Sequence, residues 1–320
     1  MIKIRKLTKT YGHVNAVENI NLTIDKKETF GFLGPNGAGK TTILSILSTL
    51  LKPTTGKITL ADRDIRNSSN EIKKIMGVLF QETALDEQLT GIENLQMQSI
   101  LYDIPKEKRK KRISEMIDFV GLGEWAQSHV EKYSGGMKRR LEIARALIHK
   151  PEILLLDEPT LGLDPTARET VWHHIEGLKN TTCIIATNYI EEAERLCDRI
   201  AIINAGKIVT SGTPKELKDS INTDFGELIT MDTSNLISIL EKLSFIKKIK
   251  LSGSKIHFSI EPGKRRELLD KMADYDLDSI EVRKATLNDV FFHYTGKTIE
   301  VAHPNQTGKK RRLGKRKMKQ

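Results

Sequence analysis

Cysteine is nearly absent: Cys183 and Cys197 are the whole complement of a 320-residue chain. Two thiols without metal-ligand spacing exclude a disulfide framework and a cysteine-based metal site, and they fit a reducing interior. Long apolar runs are missing too. Nothing approaches the roughly 18 apolar residues that a membrane-spanning helix needs. The opening MIKIRKLTK has no apolar core of the kind a secretory leader carries. No heptad pattern is sustained. His13, His173 and His174 have no metal-ligating company, and no role is expected of them. Acids are absent from residues 301–320, which hold eight Lys or Arg. Without those eight, the net charge of +10 falls to +2 for the other 300 residues. The basic balance therefore belongs to a tail and does not argue for nucleic-acid binding by the folded part.

Against these absences stands one dense stretch. Gly34-Pro35-Asn36-Gly37-Ala38-Gly39-Lys40-Thr41-Thr42 matches the phosphate-loop template G-x-x-x-x-G-K-[ST]. Thr29–Leu33 before it reads as a buried strand. Residues 43–51 after it read as a helix with Ile43, Leu44, Leu47 and Leu51 on one face. The glycines let backbone N–H groups turn toward an anion, and the new helix aims its dipole at the same point. Lys40 can reach terminal phosphates, and the Thr41 hydroxyl is placed to ligate Mg²⁺.

Residues 2–30 read as short strands, Ile2/Ile4 and Ile20/Leu22/Ile24, around a turn at 8–12 that carries Tyr11. Further strands are expected at 57–61 and 76–80, the latter ending at Gln81. From about 83 to 150 the pattern is helical and polar, with Pro105 opening one helix and Met137, Leu141, Ala144, Leu147 and Ile148 marking another. Apolar runs at 153–156, 183–187 and 200–203 fit a parallel sheet covered on both faces. Pro214 opens a helix ending near 221. A strand at 225–232 follows, then a helix capped by Ser234, hairpin strands at 245–251 and 255–260, a helix at 263–275 and a strand at 279–284. A last helix lies between the Thr286/Asp289 capping box and Gly296. The β-α-β-β-α-β order suggests a small ferredoxin-like fold. Residues 303–320 lack apolar periodicity and are expected to be disordered.

Two more stretches carry chemistry. The apolar run 153–156 ends in Asp157 and Glu158. Asp157 is placed to hold Mg²⁺ through water. Strand alternation would aim Glu158 the other way, where it can take a proton from attacking water. The plainer alternative is a pair of solvated acids at a strand end. Ser134-Gly135-Gly136 opens a helix, which makes an anion site by the reasoning applied to the phosphate loop. Alone, such a triplet is more often only a cap. Here it lies 23 residues before Asp157.

The combination resembles the ATP-binding cassette (ABC) ATPases over roughly residues 1–220. The resemblance implies that Tyr11 stacks on adenine, that residues 34–42 are Walker A, and that Gln81 contacts Mg²⁺ and water. It makes Ser134, Gly135 and Gly136 the signature, Asp157 the Walker B metal ligand, Glu158 the catalytic base and Asp164 part of the D-loop. Within the family, the YSGGM signature at 133–137, the amide at Asn188 and the segment 285–296 are similar to the daunorubicin-type drug-resistance ATPases. An α/β P-loop fold follows over 1–221, with a RecA-like core, an antiparallel β subdomain and a helical subdomain at about 83–140. An accessory α+β domain over 225–298 and the basic tail 303–320 complete it. The resemblance also implies ATP and Mg²⁺ as cofactors, ATPase activity and a homodimer with each ATP between Walker A of one subunit and Ser134–Gly136 of the other. A separate membrane-spanning permease is implied, so the chain would be peripheral at the cytoplasmic face of the cell membrane, energising export of a drug-like or lipophilic substrate.

Asn188 occupies the place of the family's switch histidine, and slow turnover is expected from it. Its plainer role is to cap a helix starting near Ile190. Two rival functions remain: a non-transport ABC ATPase acting on nucleic acid or ribosomes, and a slow nucleotide-dependent regulatory switch. No specific nucleic-acid partner is expected. The basic tail is either a solvated extension or an attachment to anionic lipid.

Overall fold

The computed structural model describes residues 1–296; the basic tail lies outside the described residues. The described chain forms two compact units, residues 1–69 with 182–296, and residues 70–181.

In the first unit, strands β1 (Ile2–Tyr11) and β2 (Val14–Ile24) pair antiparallel around a turn at Gly12, whose φ is 55°. The expected turn at 8–12 is mostly strand: β1 continues through Thr8 to Tyr11. Bulges let it do so. At the bulges the Asn21 side chain accepts from Lys6 N at 2.9 Å, and Thr8 Oγ1 accepts from Asn19 N at 3.1 Å. Strand β3 (Thr29–Leu33) buries Phe30, Phe32 and Leu33. Helix α1 (Lys40–Leu47) starts three residues earlier than its apolar face suggested, because glycine opens it, and it buries Ile43, Leu44, Ile46 and Leu47. It stops before Leu51, with Thr49 at φ 65°. Strand β4 (Thr55–Leu60) joins β1 antiparallel and carries the two-residue β5 (Arg63–Asp64).

The second unit takes in α2 (Ser69–Lys74) from its second residue on and then β6 (Met76–Leu79). Helix α3 (Gly91–Leu101) is set by a capping box of Thr90 and Glu93, and α4 (Lys106–Phe119) follows Pro105. The charged run of α4 buries only Ile113, Met116 and Ile117, a stripe at helical spacing. Helix α5 (Gly135–Leu147) packs on α3, α4 and β6. Strand β7 (Ile153–Asp157) is fully buried and pairs parallel with β6, and α6 (Pro165–Glu176) is capped by Asp164.

The chain then returns to the first unit. Strand β8 (Thr182–Thr187) and, after α7 (Ile190–Leu196), strand β9 (Arg199–Asn204) flank β3 on either side, both parallel to it. Strand β10 (Lys207–Gly212) closes that edge as an antiparallel hairpin, and α8 (Pro214–Ser220) follows.

The remaining elements are β11 (Asp224–Ile229), α9 (Thr233–Glu241), β12 (Ile246–Ser252), β13 (Lys255–Ile260), α10 (Arg265–Met272), β14 (Ser279–Lys284) and α11 (Leu287–Thr295). The four strands form an antiparallel sheet in the order β12-β13-β11-β14, the order expected of the split β-α-β arrangement. Leu228, Leu236, Leu240, Ile256, Phe258 and Leu268 are among its buried core. Asp232, not Ser234, caps α9, accepting from Asn235 N at 3.2 Å. Helix α11 buries Leu287, Val290 and Phe291 and packs against α8 and α7.

Candidate nucleotide site

In the first unit the phosphate loop runs from the buried end of β3 into α1. Gly34 N donates to Thr187 O at 3.3 Å, and a Cβ at Gly34 would collide with the Ile203 carbonyl. Gly37 has φ 79°. Gly39, at φ 106°, is the helix N-cap, and a Cβ there would strike the Ala16 carbonyl. Having no side chain, it makes no cap bond, so the first-turn N–H groups of α1 face no competing carboxylate or hydroxyl from the cap. Lys40 is buried, with Nζ donating to Gly34 O at 2.7 Å and to Pro35 O at 3.1 Å. The loop is further pinned by Ala38 N to Pro35 O at 3.2 Å and by Gly206 N to Ala38 O at 3.0 Å. A loop in which Gly34 and Gly39 leave room only for backbone, ending at a helix N-terminus beside an ammonium, fits a polyphosphate. Thr41 is exposed and Thr42 half-buried on the first turn of α1.

Asn188 follows β8 and is 7% exposed. Its Nδ2 donates to Asn36 Oδ1 at 3.5 Å, while its Oδ1 is buried with no hydrogen-bond partner among the described residues. The capping role expected for it is not observed. The N-cap of α7 is Tyr189, which makes no side-chain cap bond. Instead Thr187 Oγ1 accepts from Tyr189 N at 2.9 Å and shapes the turn, leaving the Asn188 side chain to the loop. Tyr11 stands half exposed at the end of β1, with Lys9 Nζ 5.1 Å from its ring centre.

In the second unit Asp157 is the last residue of β7 and is buried. Glu158 is buried as well, so a solvated pair is excluded. Strand alternation does not aim Glu158: the strand has ended, and its φ of 46° puts it in the left-handed region that non-glycine residues seldom occupy. Ser134 is the N-cap of α5, accepting from Met137 N at 3.3 Å, and Gly135 and Gly136 form the first turn. Asp164 Oδ1 caps α6 through Ala167 N at 3.0 Å. Gln81 is exposed just after β6.

One residue that no motif singled out ties these pieces together. Arg139, on the second turn of α5, is buried and donates to the carbonyls of Phe80, Asp157, Glu158 and Pro159 and to the Glu142 carboxylate, at 2.7–3.0 Å. The signal for it was an i,i+3 Arg139/Glu142 pair on a helix whose other buried positions are apolar.

Among the described residues no group of three or more His, Cys, Asp or Glu could cage a metal by itself. That suits Mg²⁺, which keeps waters and shares phosphate oxygens with one or two protein ligands.

A glycine-hinged phosphate loop between a buried parallel strand and a helix, in a chain that also ends a buried strand in two acids, defines a P-loop nucleotide-binding protein. The family described as ABC transporter matches residues 17–161. The daunorubicin resistance ATP-binding protein DrrA3 of Streptomyces coeruleorubidus is 34% identical over 90% of this chain and 93% of its own length. The linearmycin resistance ATP-binding protein LnrL of Bacillus subtilis (strain 168) is 33% identical over 93% of this chain and 99% of its own. A solved dimeric ATP-binding cassette in a post-hydrolysis state, bound to ADP and Pi, is 30% identical with a TM-score of 0.61, covering 67% of this chain and 98% of that one. The chain belongs to the ABC transporter family as an ATP-binding subunit; it is an ATPase that uses ATP with Mg²⁺. Among the described residues no helix is long and apolar enough to cross a membrane.

Proposed function

We propose that this chain powers an exporter of drug-like or lipophilic molecules whose pore is a separate membrane-spanning permease. The daunorubicin and linearmycin resistance proteins, similar along almost the whole chain, support the substrate class. The observation that carries the nucleotide role is the Gly34–Thr42 loop, with Gly39 at φ 106° and Lys40 Nζ folded onto Gly34 O and Pro35 O.

The residue roles follow the motifs. Within residues 34–42, backbone N–H groups other than those of Gly34 and Ala38 (Pro35 has none) and the Lys40 ammonium hold the phosphates, Tyr11 stacks on the adenine, and the Thr41 hydroxyl, Gln81 and Asp157 hold Mg²⁺ directly or through water. Glu158 takes the proton of the attacking water, and Asn188 donates to the terminal phosphate. Two chains form a head-to-tail homodimer, in which Ser134, Gly135, Gly136 and Asp164 serve the partner's ATP. The dimeric cassette bound to ADP and Pi supports that stoichiometry. Residues 1–221 form the cassette and 225–298 an accessory domain. The chain sits at the cytoplasmic face of the membrane, held by its permease and assisted by the basic segment 309–319 on anionic lipid.

The test is the chain purified with its permease. ATP hydrolysis should rise with candidate drugs and vanish with Lys40→Ala. Hydrolysis unaffected by Lys40→Ala would remove the nucleotide assignment. Drug-independent hydrolysis, with no efflux in cells expressing both chains, would remove the export assignment.

A further inference from the structure

A guanidinium carries five N–H donors in a fixed plane. At Arg139 all five are matched: Nε to Pro159 O, Nη1 to Phe80 O and Glu142 Oε2, Nη2 to Asp157 O and Glu158 O. Glu142 in turn accepts from Ala84 N through its other oxygen at 3.1 Å. The acceptors are not a random set. Three are consecutive carbonyls across the two acids and the following proline, and Phe80 immediately precedes Gln81. Glu158 holds a left-handed backbone, φ 46°, which a non-glycine residue keeps only where its surroundings over-determine it. The Glu158 carbonyl is fixed from two sides, by Arg139 Nη2 at 2.9 Å and by Leu161 N at 3.1 Å.

We propose that Arg139 is a positioning residue for hydrolysis: from the signature helix it clamps the carbonyls at 157–159 and 80, and so sets where the Glu158 carboxylate stands. The proposal rests on reading Glu158 as the base. Lysine cannot replace the clamp, because its three donors radiate from one nitrogen and cannot span acceptors on two chain segments. Arg139 lies five residues along α5 from Ser134, so a displacement of the signature end would reach the base through the same rigid helix.

The experiment compares single-turnover ATP hydrolysis, ATP affinity and melting temperature in the full chain for Arg139→Lys, Arg139→Met with Glu142→Gln, Glu158→Gln, and Arg139→Lys with Glu158→Gln. The second variant removes the buried cation without stranding an unpaired carboxylate, so it guards against simple unfolding. The first two should slow hydrolysis by about 10- to 100-fold while ATP affinity stays within about twofold. Adding Arg139→Lys to Glu158→Gln should cost nothing further, since one acts through the other. Near wild-type hydrolysis in the folded Met/Gln variant would overturn the proposal. So would a parallel loss of rate, affinity and melting temperature, which is the mark of a structural role only. A fully additive loss in the last variant would overturn the route through Glu158. Should Glu158→Gln alone hydrolyse like wild type, the base assignment itself falls, whatever the Arg139 variants do.

Discussion

Asn188 Nδ2 reaches Asn36 Oδ1 at 3.5 Å, so the residue after β8 touches the phosphate loop through an amide pair. An amide donates a hydrogen bond but does not become cationic at neutral pH, as an imidazole can. Asn188→His should therefore equal or exceed wild-type kcat, and it should gain a pH dependence near the imidazole's ordinary range of about 6–7 that the wild type lacks. Asn188→Ala should fall well below both, since removing one oriented donor costs up to ~3 kcal/mol of transition-state stabilisation. The measurement is kcat with saturating ATP across that pH range. Alanine as active as asparagine would leave residue 188 without a catalytic part.

Gly39→Ala should abolish nucleotide binding. The position combines φ 106° with a Cβ path into the Ala16 carbonyl, so neither backbone nor space allows a side chain. The backbone cost alone is about 1–3 kcal/mol, and relief comes only by reshaping the loop that holds phosphate. Fluorescent-nucleotide titration should show no saturable binding, and binding at wild-type affinity would mean the loop is not the phosphate cradle.

Gly136→Leu should block hydrolysis and spare nucleotide binding. A Cβ at Gly136 would lie 2.9 Å from the Ala167 Cβ, so a larger side chain must push the first turns of α5 and α6 apart. That turn carries the signature, not the phosphate loop, and a displacement of about 1 Å can cost roughly 100-fold in rate. Mixing this variant with Lys40→Ala should restore some hydrolysis if the signature serves the partner's ATP. No recovery at any ratio would count against that arrangement.

The helix starts at the motifs are legible because each is a short run whose local geometry its neighbours do not alter: Gly34–Thr42 opens α1, and Ser134–Gly136 opens α5. What stayed hidden depended on tertiary context. Helix α3 falls within the helical stretch 83–150 but has no bounds of its own in the sequence: Met97, Ile100 and Leu101 are exposed, so its apolar residues trace no single buried stripe. The left-handed backbone at Glu158 has no glycine to announce it. Arg139 belongs to no motif, and its carbonyl acceptors lie 18–20 residues ahead and 59 residues behind in sequence. At Asn188 the helix that follows makes capping the plainer alternative to a part in hydrolysis, but Thr187 supplies the turn bond instead.

The basic segment 309–319 should bind anionic vesicles. Each basic residue near such a surface contributes about 1 kcal/mol, and salt screens the attraction. The full chain should sediment with phosphatidylserine vesicles at low salt and be released at high salt, whereas a chain ending at Pro304 should stay in the supernatant. Equal sedimentation of both would remove the attachment.

The stability of the second unit should depend on His149. Its ring stacks on Tyr102 at 3.6 Å, with planes 14° apart, and Nε2 lies 3.1 Å from Met76 O. That carbonyl can only accept, so the neutral ring carries its proton on Nε2, and the buried Nδ1 has no partner among the described residues. Burial lowers the His149 pKa from 6.5 to about 4; the Met76 carbonyl opposes that change and the Arg112 cation reinforces it. The unfolded chain therefore binds a proton that the folded one refuses, and stability falls as pH drops from about 6.5 toward 4, levelling off below. A tenfold difference in proton affinity is worth about 1.4 kcal/mol, so the loss is at most about 3 kcal/mol, and less because the ring is not fully buried. Glutamine at 149 can keep a donor for Met76 O but has no proton to take up. His149→Gln should be less stable than wild type at neutral pH, having lost the stacked ring, yet its stability should decline less on acidification. Urea denaturation at about pH 7.5 and about pH 5 for both chains measures this. An identical decline in the two would mean that His149 titrates normally and that other groups carry the acid sensitivity.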